Sequence, residues 1–138
     1  MGLYLCIFDD CGEEIAGVEI WRYQYFGDFR DLAAEFVRKR KVGSSMTTLL
    51  NHPDCDGVWS VKDCRLLLQE LKELGDAFRK EPPLQRIIDW KQDVFRLYGI
   101  TPQNLFECFV DSDCEFLIDR LIALCQLAIQ EKRPIEFQ

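Results

Sequence analysis

The sequence predicts an α+β domain: a mixed β-sheet of about four to five strands with about four helices packed on one face, spanning residues 1–138 as a single unit. Three observations carry this reading. Leu3 to Phe8 is short and almost wholly apolar, as expected of an inner strand. From Asp28 the apolar residues recur at helical spacing instead, as Phe29, Leu32, Ala33, Phe36 and Val37. Helical and strand-like segments then alternate irregularly, in the order β, β, α, β, α, α, β, α, β, with no repeat, linker or low-complexity stretch between them.

Taken in order, Leu3–Phe8 is followed by the polar turn Asp9-Asp-Cys-Gly-Glu-Glu14 and by Val18–Tyr25, which is rich in β-branched and aromatic residues, so a hairpin is predicted. The helix from Asp28 ends in Arg38-Lys-Arg-Lys41 before Gly43, cations that complement the carbonyl end of a helix dipole. Met46–Leu50 is read as a short strand leading into the loop 51–60. Ser60 followed by Asp63 predicts a capping box, and Val61, Cys64, Leu67, Leu68, Leu71, Leu74 and Phe78 form the apolar stripe of the helix behind it. Pro82 and Pro83 end that helix; Ile87, Trp90, Val94 and Leu97 define one more, stopping at Gly99. Residues 104–110 fit either a strand or a turn, 115–131 a long helix through Leu117, Leu121, Leu124 and Ala128, and 134–137 an edge strand opened by Pro134.

Composition narrows the function classes. The 138 residues are 48% hydrophobic, enough for one core, and carry a formal net charge of −7. That field repels nucleic acid and anionic membranes and favours a basic partner. The first residues lack a secretory pattern and no apolar run reaches the ~20 residues of a membrane span, so a cytoplasmic, soluble protein is expected. The seven cysteines form an odd set without a Cys-x-x-Cys pair, fitting neither a disulfide framework nor a zinc ribbon. Cys6, Cys64 and Cys125 lie among aliphatics and are read as buried; Cys55 is read as exposed.

The loop Asn51-His-Pro-Asp-Cys-Asp-Gly-Val-Trp-Ser60 concentrates polar and special-geometry residues, including the chain's only histidine. His52-x-x-Cys55 offers two zinc ligands, with Cys64, Cys11 or an aspartate as a third, which keeps a metal-binding regulator or small enzyme as the alternative reading. The ligand set is incomplete, so no metal and no cofactor is assigned. No nucleophile elbow accompanies His52, and neither a Gly-x-Gly-x-x-Gly nor a Gly-x-x-x-x-Gly-Lys loop is present. Acid pairs beside aromatics fit a protein-binding surface better: Asp54 and Asp56 near Trp59, Asp111 and Asp113 near Phe109 and Phe116. Carboxylates steer a basic partner and an aromatic anchors it. Asp54, Asp56, Trp59, Asp111 and Asp113 are therefore the candidate partner-binding residues, and no residue is assigned as catalytic.

Five stretches together resemble a known family. They are Met1-Gly-Leu-Tyr-Leu-Cys-Ile-Phe-Asp9, Gly17-Val-Glu19, Phe26-Gly-Asp-Phe-Arg30, the Asp54-Cys-Asp-Gly-x-Trp-Ser60 loop and Arg133-Pro-Ile-Glu-Phe-Gln138. With them the chain is similar to the immunity proteins of bacterial polymorphic toxin systems, of the immunity protein 70 type, over nearly its whole length. The resemblance implies a non-catalytic cytoplasmic protein that binds and neutralises a partner toxin. It supplies no catalytic residues.

Overall fold

A computed structural model describes residues 2–53 and 56–138. The chain begins as a hairpin of β1 (Gly2–Phe8) and β2 (Glu14–Arg22). Its turn is closed by Asp9, whose carboxylate accepts from the amides of Cys11 and Glu13 at 2.8 and 2.9 Å. After α1 (Tyr23–Arg38), α2 (Thr47–Leu50) and the two-residue β3 (Val58–Trp59) come α3 (Val61–Arg79), α4 (Gln85–Trp90) and α5 (Gln92–Tyr98). The chain closes with α6 (Leu105–Cys108), α7 (Leu117–Glu131) and β4 (Ile135–Phe137). No helix among the described residues is long and apolar enough to cross a membrane.

The α+β class is as predicted, but among the described residues the sheet, ordered β2-β1-β4-β3, is antiparallel throughout rather than mixed, and there are seven helices instead of about four. β1 is an inner strand, as its apolar run required. β4 is also interior, not an edge, because Val58 and Trp59 pair with Glu136 and Ile135 on its far side. Side chains alternate across the sheet. Leu3, Leu5, Ile7, Val18, Trp59 and Ile135 point into the core, where Phe29, Phe78 and Phe109 meet edge-to-face and stacked at 5.2–6.1 Å. The opposite face of the sheet carries Tyr4, Phe8, Glu14, Gly17, Glu19, Val58 and Glu136, all at least partly exposed.

Three local readings change. α1 starts at Tyr23 rather than Asp28: Trp21 takes φ 117° one residue before β2 ends at Arg22, and Tyr25 and Phe26 join Phe29, Leu32 and Ala33 on one helical stripe. Residues 47–50 are helical rather than extended because the buried Glu70 of α3 accepts from the amides of Thr48 and Leu49, at 3.3 and 3.0 Å, capping a short helix. The helix read through Ile87 and Leu97 breaks at Lys91, whose side chain turns inward to the Val110 carbonyl at 3.0 Å, leaving Leu97 80% exposed. The capping box of Ser60 and Asp63 forms with both bonds at 3.0 Å, and Gly99 caps α5 at φ 66°. Residues 104–110, open between strand and turn, contain α6, capped by the Asn104 side chain.

Candidate protein-binding surface

The loop after α2 is built around His52. Its ring stacks on Phe137 at 4.1 Å and lies 5.3 Å from Trp59. Nδ1 faces the Pro53 carbonyl at 2.5 Å and Nε2 the Val58 carbonyl at 2.9 Å. Both ring nitrogens are therefore directed at backbone carbonyls within the loop rather than at a cluster of side chains that could hold a metal. Gly57 passes beside the ring at φ 89°, a backbone region that disfavours a side chain, and a Cβ there would sit 3.4 Å from Nε2. Arg30 of α1 holds the loop's entrance by donating to the carbonyls of Leu50 and His52, both at 2.6 Å.

Asp56 is exposed, whereas Trp59 is 1% exposed and donates its indole N–H to the Thr48 carbonyl at 3.3 Å. The strand register decides this. Val58 and Trp59 alternate, so with Val58 outward Trp59 must point into the core, where it packs edge-to-face on Phe137 at 4.8 Å. Asp54 and Cys55 lie outside the described residues. Among the described residues no group of three or more histidine, cysteine or acidic side chains converges to hold a metal. Cys6, Cys64 and Cys125 are buried and Cys11 is exposed, all with free thiols.

The second acid pair divides in the same way. Asp113 is 75% exposed, while the Asp111 side chain is 1% exposed and closes a tight turn. Its Oδ1 accepts from the amides of Asp113 and Glu115 at 2.9 and 3.0 Å, and Oδ2 meets Arg120 Nε at 2.9 Å without hydrogen-bond alignment. Beside it, Lys91 is 4% exposed, and burial pulls its ammonium down to about 8, with Asp111 opposing that shift. Tyr25 ties this turn to α1, donating to the Cys108 carbonyl at 3.2 Å and accepting from the Val110 amide at 3.0 Å.

A larger acidic surface, absent from the sequence expectations, lies on the outer face of the sheet. The register places Val58, Glu136, Cys6 and Gly17 in one rung, with Tyr4 opposite Glu19 and Phe8 opposite Glu14 on either side. Tyr4 donates to Glu14 at 2.8 Å, and its ring covers Gly17, where a Cβ would come within 2.2 Å of the phenol oxygen. Burial, the bond to Glu14 and the negative charge around it push the Tyr4 phenol up to about 12. Burial together with Glu14 and Glu136 raises the Cys6 thiol to about 11. The signal for this face was the alternation in Gly17-Val-Glu19 and Ile135-Glu-Phe137, once those segments are taken as neighbouring strands, whereas Glu14 joins it only through the irregularity in register between Ile7 and Phe8.

No curated protein and no solved structure matches the chain. The family model for Immunity protein 70 matches residues 3–137, from the first inward leucine of β1 to the last residue of β4. That span takes in both acid pairs and all of the sheet but Gly2, and the chain belongs to the Immunity protein 70 family.

Proposed function

We propose that this protein binds a toxin protein in the cytoplasm and neutralises it by occupying its surface, without chemistry of its own. The family match over residues 3–137 carries this reading. The net charge of −7 supports a basic toxin, because complementary fields speed encounter. Asp54, Asp56 and Asp113 are proposed as contacts, with Trp59 and Asp111 acting from inside to hold the two rims in place. The metal-binding alternative through His52 and Cys55 gains no support from a histidine whose ring nitrogens both face carbonyls.

Co-production tests it. A candidate toxin domain, where one is encoded beside this chain, is induced in bacteria with and without the protein. Growth restored only when the full chain is present is the expected result. Equal killing in both cultures would refute neutralisation.

A further inference from the structure

On the outer face of the sheet Tyr4, Phe8, Glu14, Gly17, Glu19, Val58 and Glu136 remain at least partly exposed. Tyr4, Phe8 and Val58 give it partly exposed apolar area, Val58 at 45%, and the bare Gly17 under the Tyr4 ring keeps its centre free of a projecting side chain. Glu14, Glu19 and Glu136 stand on it and make no ion pair among the described residues, whereas Asp10, Glu81 and Asp111 each pair with a cation. Carboxylates outside any ion pair favour the approach of a cationic surface.

We propose that this face, through Glu14, Glu19, Glu136, Tyr4, Phe8 and Val58, is where a lysine- and arginine-rich surface of the toxin seats. The inference rests on the toxin-binding reading and specifies its contact surface. Two features of the structure narrow the docking mode. The carbonyls of Gly17, Glu19 and Ile20 along the outer edge of β2 are occupied by Arg120, the Ser112 amide and Lys91, so a partner strand does not extend the sheet there. A second copy would set the same three glutamates against each other. A basic partner laid flat on the face satisfies both constraints. Asp56 and Gly57, which lead into β3, lie at its margin and are exposed.

The test is a calorimetric titration of a candidate toxin domain into four proteins that each carry all 138 residues, at low and moderate salt. These are the unmodified chain, the combined Glu14→Gln/Glu19→Gln/Glu136→Gln variant, Val58→Lys, and a control of equal charge change, Asp31→Asn/Asp93→Asn/Glu131→Gln. Circular dichroism and urea midpoints confirm that each is folded. The expected result is at least about a tenfold loss of affinity and a flatter salt dependence for the triple glutamine variant, a comparable loss for Val58→Lys, and less than about a twofold change for the control. Tight binding by the unmodified chain with affinity and salt dependence retained in both face variants would overturn this surface while leaving the toxin-binding function intact. An equal loss in the control would also overturn it, since the effect would then belong to net charge. Absence of binding by the unmodified chain would remove both.

Discussion

Asp111 separates a contact role from an architectural one. Replacing it with alanine removes an acceptor for two backbone amides and leaves Arg120 Nε facing an empty site. Hydrogen bonds to a charged group contribute about 1.5–3 kcal/mol each, but Arg120 is 36% exposed and can turn to water, so the expected loss is about 3 kcal/mol. Asp111→Asn keeps one oxygen for the amides and should lose only about 1–2 kcal/mol. Urea unfolding followed by tryptophan fluorescence reads both, since Trp59 packs on Phe137 while Trp21 and Trp90 pack on each other at 5.9 Å. Toxin affinity per folded molecule should be nearly unchanged in the asparagine variant. An alanine variant within about 0.5 kcal/mol of the unmodified stability that binds toxin about tenfold more weakly would refute the architectural assignment.

Three further outcomes follow from the same geometry. Lys91 sits at about 8 in the folded protein against an unfolded value near 10.5, so the unfolded chain binds more protons between those values. The unmodified protein should therefore gain stability relative to Lys91→Met as pH rises from 8 to 10.5, by about 3 kcal/mol, with a flat difference below pH 8; a flat difference throughout would contradict the burial. In Gly17→Ala the new methyl must displace the Tyr4 ring from Glu14, so ultraviolet titration should show one phenol moving from about 12 back toward 10. Ser60→Ala should cost about 1 kcal/mol in urea unfolding by removing the capping-box bond to the Asp63 amide.

What the sequence revealed depended on whether the determining interaction was local. The Ser60–Asp63 box, the Gly99 cap and the β1–β2 turn at Asp9 are short-range devices and were legible. The helix at 47–50 was not, because its amides are capped from α3 by Glu70, some twenty residues on. The break at Lys91 depends on a distant acceptor, the Val110 carbonyl. In the same way, the acid pairs were visible as residue types, but not which member faces outward. Trp59 turns inward because of β3 register, and Asp111 because the 111–115 turn closes around its carboxylate. The acidic sheet face needed β4 beside β1, a pairing across more than a hundred residues that no local pattern encodes.

The most direct test of toxin binding is the stoichiometry and affinity of the unmodified chain with a candidate toxin domain from a neighbouring gene, measured by calorimetry in physiological salt. Binding at one-to-one ratio with a sub-micromolar Kd, tightening as salt is lowered, is the predicted result. No heat and no complex at protein concentrations of about 100 μM would contradict the account at its root.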